Sequence, residues 1–212
     1  MGGELPKTSE AEQPAPPKTV AVIDIGANSV RMVVAEVFDD GRIEVLDRVR
    51  QPVRLGHDTF VKGKLSQQTM RATLTVLRDY RRLMNTYGVD MVRAVATSAV
   101  REATNRDTFL DRITRAVGFD VDVIEPTEQS RLLVSAVRHT THDLLGPKDQ
   151  TTLIAEVGGG STLLTILQGG EIVASQGFSL GSIRMQEMLL TAGEPPARSA
   201  ELLRLHLSLI HI

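Results

Sequence analysis

The sequence predicts an α/β protein in which a β-β-β-α-β-α plan is laid down twice, the second time incompletely. Three observations carry this expectation. Residues 22–31, VIDIGANSVR, and residues 154–163, IAEVGGGSTL, both set an acid ahead of a small-residue turn that ends in Ser, with apolar runs on either side. Each turn joins the first two of three strand-like segments separated by short turns. Between the two runs, from Ser66 onward, helical and strand-like segments alternate as βα crossovers do.

The first copy reads in order. TVAVIDIG (19–26) is nearly continuous apolar chain, as in a strand buried on both faces. SVRMVVAEVF (29–38) is a second strand, DDG (39–41) a hairpin turn, and RIEVLDRVRQPV (42–53) an alternating third strand. RLGHDTFVKGKLS (54–66) is polar and contains glycine, which predicts a loop. Ser66 is a good N-cap for a helix in which Met70, Leu74, Leu77 and Met84 recur at helical spacing, up to Gly88. MVRAVAT (91–97) is a strand, residues 101–117 a helix, VDVIE (121–125) a strand. Pro126 and Thr127 open a further helix through Thr140, with Thr127 as its cap. Residues 144–150, LLGPKDQ, read as a linker. TTLIAEV (151–157), STLLTIL (161–167) and GEIVASQGFS (170–179) repeat the meander around a QGG turn, and residues 180–193 and 195–210 look helical. The expected units are a disordered leader (1–18), a first domain (19–143) and the start of a second (150–212). The ending LSLIHI resembles translated adapter sequence, so His211 and Ile212 are not read as native.

Composition narrows the function. With 212 residues, 42% hydrophobic and 24% charged, the chain can bury a substantial core. A net charge of -2 offers no global field for nucleic acid or an anionic membrane, so neither is an expected partner. The absence of cysteine excludes disulfides and thiolate chemistry. No apolar run approaches the roughly 20 residues of a membrane span, and the first residues lack the apolar stretch of a signal peptide. A cytoplasmic protein is expected.

The repeated turn has a chemistry of its own. A tight small-residue turn gathers backbone N–H groups into a concavity that suits phosphate oxygens, and Ser29, Ser161 and Thr162 add hydroxyls. The acid at the end of each preceding strand, Asp24 or Glu156, repels phosphate and makes sense if it holds a divalent cation or orients a water. Taken singly, each turn could be a structural hairpin whose Gly or Asn supplies φ > 0. The repetition, with the acid in register, favours two loops clamping a phosphate chain across a cleft. His57 and His139 have no spacing that suggests zinc or a triad, and are expected in loops or on the surface.

The two-fold plan with paired phosphate loops resembles the actin-like ATPase and sugar-kinase superfamily, with its ribonuclease H-like fold. More narrowly, AVIDIGANSVRMVVAEV, ATSAVREATNRDTFLDRI, EQSRL, VGGGSTLLTI and SLGSIRM resemble motifs of the exopolyphosphatase / guanosine pentaphosphate phosphohydrolase (Ppx/GppA) family, in its order. The resemblance implies Mg²⁺ or another divalent cation held by Asp24 and Glu156. It implies phosphate contacts from Gly26, Ala27, Asn28, Ser29, Arg101, Gly158, Gly159, Gly160, Ser161 and Thr162. The implied ligands are inorganic polyphosphate or guanosine penta- or tetraphosphate, and a homodimer is possible. Arg101 otherwise would pair on the surface with Glu102 or Asp107.

Against the family pattern, three acidic positions are altered. Gln129 stands where the family places its catalytic glutamate, Leu163 where another glutamate follows Thr, and Glu156 where an aspartate is usual. Ala27 replaces a serine. An amide can orient water but cannot take its proton. Either Glu128 or Glu125 substitutes as base, or the protein binds phosphate chains without turnover. The expected activity is release of terminal phosphate from polyphosphate or pppGpp; the alternatives are an impaired sensor protein and a kinase of the same superfamily.

Overall fold

The computed structural model describes residues 15–140, 150–192 and 196–208. Most of the leader, the 144–149 part of the linker, and residues 209–212 lie outside them. Strands β1 (Lys18–Ile25), β2 (Ser29–Val37) and β3 (Ile43–Pro52) form the first meander. Helices α1 (Leu55–Lys62) and α2 (Gln67–Thr86) follow, then β4 (Met91–Ala96), α3 (Ser98–Arg101), α4 (Arg106–Val117), β5 (Asp122–Val123) and α5 (Pro126–Thr140). The sheet runs β3-β2-β1-β4-β5, with β4 parallel to both β1 and β5. Ala21, Ile23 and Ile25 of β1 and Val30, Met32 and Val34 of β2 point to one face, where α2 and α4 supply Leu77, Met84, Phe109 and Ile113.

The second meander, β6 (Thr151–Val157), β7 (Thr162–Gln168) and β8 (Glu171–Phe178), leads into α6 (Ser182–Ala192) and α7 (Pro196–Ser208). The repeat is exact at the level of register. Ile25 faces Val30 across the first loop, and Val157 faces Thr162 across the second. Asp24 therefore corresponds to Glu156, and Arg31 to Leu163. Even the β-bulges coincide, between Val34 and Ala35 in one copy and between Ile166 and Leu167 in the other, each five residues beyond its loop serine.

Four local expectations are corrected. Residues 55–62 are helical rather than loop: Leu55, Asp58 and Thr59 are buried, so tertiary packing overrides a weak local pattern, and Gly63 closes the helix at φ 70°. His57 therefore lies on a helix rather than in a loop, exposed on the surface as expected, and its Nδ1 meets Glu187 Oε2 at 2.8 Å. The helix expected over 101–117 is broken between α3 and α4, where Asn105 bonds both the N–H and the carbonyl of Leu65 at 2.9 Å. Strand 121–125 shrinks to two residues. Thr127 lies inside α5, whose first residue is Pro126, a position where a missing N–H costs nothing. The Ser66 cap is as expected, its hydroxyl accepting from Thr69 N–H at 3.1 Å.

Helix α5 completes the first βα series yet packs on the second sheet. Ser130 shares its hydroxyl with Thr165 at 2.9 Å and with Ser175, all against the face that buries Leu163 and Leu167.

Candidate phosphate-binding site

The two loops meet tip to tip. A Cβ on Gly159 would lie 3.1 Å from the Ala27 methyl, and these two residues hold equivalent places in the repeat. The contact therefore sits on the pseudo-two-fold axis. Ala27 is buried there, against the second loop.

The loops have a marked backbone polarity. Their carbonyls are occupied: Ala27 O accepts from Gly56 N at 2.8 Å, Asn28 O from Val53 N at 2.9 Å, and Ser29 O from Gly26 N at 3.0 Å. In the second loop, Gly158 O accepts from Ser182 N at 2.9 Å, Gly159 O from Ile183 N and Arg184 N at 2.9 and 3.0 Å, and Ser161 O from Gly158 N at 2.9 Å. Gly160 O accepts from Arg184 Nε at 2.8 Å. The N–H groups of Ala27, Asn28, Gly159, Gly160 and Ser161, by contrast, find no protein acceptor among the described residues. Amides from the starts of α1 and α6 hold the carbonyls of Ala27, Gly158 and Gly159, while five of the loop amides are left over. Unpaired amides in successive residues form a nest for an anion.

The loop glycines serve space, not turn angle. Positive φ occurs at Gly41, Gly63, Gly88, Gly118, Gly169 and Gly170, and at none of the loop residues. A Cβ on Gly160 would collide with Ser98 Oγ and the Phe60 ring, and one on Gly181 with the backbone of Gly159 and Gly160.

Both loops line one cavity of about 180 Å³, together with Asp24, Glu156 and Gln129. Gln129 Nε2 donates to Glu156 Oε2 at 2.9 Å. Burial pushes the Asp24 carboxyl above its usual range; Arg31, opposite it in the ladder, works against this, and Glu156 adds to it. Asp24 and Glu156 thus share a field across the cleft.

A family model, the Ppx/GppA phosphatase family, matches residues 32–208. The chain belongs to the Ppx/GppA phosphatase family. Among solved structures it resembles the Aquifex aeolicus family member at 30% identity and TM-score 0.69, covering 82% of this chain and 55% of that one. It resembles an exopolyphosphatase from Cytophaga hutchinsonii at 28% identity and TM-score 0.73, covering 81% and 53%. The chain therefore spans about half the length of these relatives. A likeness to the PilM–PilN pilus biogenesis complex, at 12% identity and TM-score 0.53, speaks for the fold alone. The fold is the ribonuclease H-like fold of the actin-like ATPases.

Within this Ppx/GppA site the expected residues divide. Asp24, Gly26, Ala27, Asn28, Ser29, Gln129, Glu156, Gly158, Gly159, Gly160 and Ser161 all line the cavity. Thr162 turns its hydroxyl to the Leu180 carbonyl instead. Arg101 lies behind the second loop, in a small neighbouring cavity with Gln129, Ser161 and Leu163. It donates to the Ile124 carbonyl at 2.7 Å and has Glu125 at 3.9 Å, rather than pairing with Glu102 or Asp107. Glu128 forms a two-pronged ion pair with Arg131, both contacts at 2.8 Å, which lowers its carboxyl pKa and holds it outside the loop cavity. Leu163 is 2% exposed and packs beside Pro126 near Gly177. Arg31, Thr97 and Ser98 also line the cavity and were not among the expected residues. Arg31 had a signal: a four-residue loop after Ile25 puts it directly across from Asp24.

Proposed function

We propose that this chain grips a phosphoanhydride chain between its two loops, as part of a phosphohydrolase releasing terminal phosphate from inorganic polyphosphate or pppGpp. The observation that carries this reading is the set of five loop amides with no protein acceptor among the described residues, in residues that line one cavity together with Asp24 and Glu156. Successive amides of this kind suit the oxygens of an anion.

The donor set fits Mg²⁺. Among the described residues no group of three or more His, Asp or Glu gathers to form a cage. Mg²⁺ characteristically takes one or two carboxylates and completes its shell with water and substrate phosphate. Asp24 and Glu156 would hold it, and the ion would supply charge neutralisation on the phosphate oxygens. The protein's own part is the rest. The amides and Arg31 stabilise charge that spreads over the terminal phosphoryl group during in-line attack by water. Gln129 fixes one Glu156 oxygen and leaves the other for the ion or a water. Asp24 and Glu156 are the carboxylates in position to orient the attacking water, since Glu128 is committed to Arg131.

A second reading, a protein that binds phosphate chains without turnover, is favoured by the Gln129 amide and by the burial of Leu163. Release of inorganic phosphate from long-chain polyphosphate and from pppGpp with Mg²⁺ separates the two. Saturable binding with no release, in wild type, excludes the hydrolase. In that event Gln129→Glu is expected to raise turnover at least tenfold over background.

A further inference from the structure

Arg184, in the first turn of α6, makes more separate contacts than any other cation near the loops. Its Nε donates to Gly160 O at 2.8 Å, and one terminal nitrogen reaches both Glu102 oxygens at 2.6 and 2.7 Å. Its guanidinium carbon lies 4.0 Å from the centre of the Phe60 ring. Its side chain is 18% exposed. Gly160 belongs to the second copy, whereas Phe60 and Glu102 belong to the first, on α1 and just after α3.

A trans peptide points its C=O and its N–H in opposite directions. Holding the Gly160 carbonyl therefore aims the Ser161 N–H the other way, and Ser161 lines the cavity. The Gly159 carbonyl, held by the amides of Ile183 and Arg184, aims the Gly160 N–H in the same manner. In the first loop the corresponding work is done by backbone alone, through Gly56 and Val53. Among the described residues side chains reach loop carbonyls in the second loop alone, from Ser182 to Gly158 and from Arg184 to Gly160, and Arg184 is the one anchored across the cleft.

We propose that Arg184 is the positioning residue of the phosphate site: it aims the Ser161 amide and fastens the second loop to the first copy through Glu102 and Phe60. The proposal rests on the loops being a phosphate grip. It requires arginine itself. A lysine ammonium cannot hold the Gly160 carbonyl, both Glu102 oxygens and the Phe60 face at once.

The test uses the full chain with Arg184→Lys, Arg184→Ala and Glu102→Gln. Calorimetric titration with inorganic tripolyphosphate and Mg²⁺ is run beside hydrogen exchange of the peptide covering residues 156–163, without ligand. Arg184→Ala and Arg184→Lys are expected to weaken tripolyphosphate binding about tenfold, and Glu102→Gln about threefold. Exchange over 156–163 is expected to quicken in both Arg184 variants while that of β4 is unchanged, which a general loss of stability does not produce. Wild-type affinity in Arg184→Lys overturns the proposal. A wild type that does not bind tripolyphosphate overturns the phosphate reading instead; unchanged exchange over 156–163 in Arg184→Lys then overturns the role of Arg184 as well.

Discussion

The two copies share a backbone plan to the register and to the bulge, yet they solve opposite problems of burial. In the first, Ala21, Ile23 and Ile25 lie under α2 and α4, and the face carrying Asp24 and Arg31 is open, with Val22 exposed. In the second, the face carrying Glu156 and Leu163 lies under α5, and the opposite face exposes Leu153 (61%) and Val157 (69%). The acid is treated accordingly. Asp24 stands across from a cation, Arg31, whereas Glu156 stands across from a leucine and takes its hydrogen bond from a neutral amide, Gln129. Leu163 is thus less a lost acid than an apolar residue matched to the α5 side of its sheet. A carboxylate there would be buried beside Pro126, a costly arrangement unless Arg101, which lines the same small cavity, turned to meet it.

The loops should respond unequally to alanine at equivalent positions, and this is the largest effect expected. Gly160 is buried against Ser98 and Phe60, while its counterpart Asn28 is exposed. Gly160→Ala should cost about 3 kcal/mol, the upper end for overpacking, and lower Tm by roughly 6–12 °C in a chain of this size. Asn28→Ala should stay within about 0.5 kcal/mol. Denaturant titration of both variants measures the contrast, and equal losses would remove the asymmetry between the loops.

Much of this comparison was legible in the sequence. The strands of both meanders stand out because apolar runs and short turns leave little choice, and the acid–Gly–Ser spacing announced the paired loops. What escaped depends on distant contacts. Helix α1 is built from residues of poor local pattern, and only the burial of Leu55 and Thr59 makes it helical. The break before α4 needs the side chain of Asn105, whose partner Leu65 lies 40 residues away. The Gln129–Glu156 bond spans 27 residues and joins two positions that looked like independent departures from the family pattern. Of the two roles open to the loop glycines, φ > 0 in a structural hairpin is excluded and room for close approach is what they supply.

A second contrast concerns how each copy anchors the helix that supports its loop. For α6 the anchor is Arg184, shared between the copies; for α1 it is Asp58, internal to the first. Burial would raise the Asp58 carboxyl, but hydrogen bonds from Thr69, Ser66 and Lys62 more than reverse this and bring it down to about 2. Ser66 N–H donates to it at 3.0 Å and Lys62 at 3.3 Å. A depressed carboxylate stabilises the fold above its unfolded pKa and loses that contribution as pH falls through its folded value. Asp58→Asn should therefore cost about 2 kcal/mol at pH 7, with the gap to wild type closing between pH 4 and pH 2. Urea titrations across that range test it; a gap that persists at pH 2 would assign the loss to packing rather than charge.

The smallest effect expected lies under α5, where the second copy is covered and the first is not. Ser130 is buried and joins Thr165 and Ser175. Ser130→Ala removes a hydroxyl from a dry contact and leaves the Thr165 hydroxyl without its partner, which should cost about 1–2 kcal/mol. Thr165→Val in the same background takes away the stranded group, so the double variant should recover part of the loss. The two changes act on one contact and must couple; strictly additive losses in a double-mutant cycle would show that the hydroxyls do not hold α5 to this sheet. The equivalent residue of β2, Val33, is half-buried on the open face and has no helix to meet. Val33→Thr should thus be close to neutral, since its hydroxyl can reach water. The polar seam belongs to the copy that α5 covers, not to the repeated strand itself.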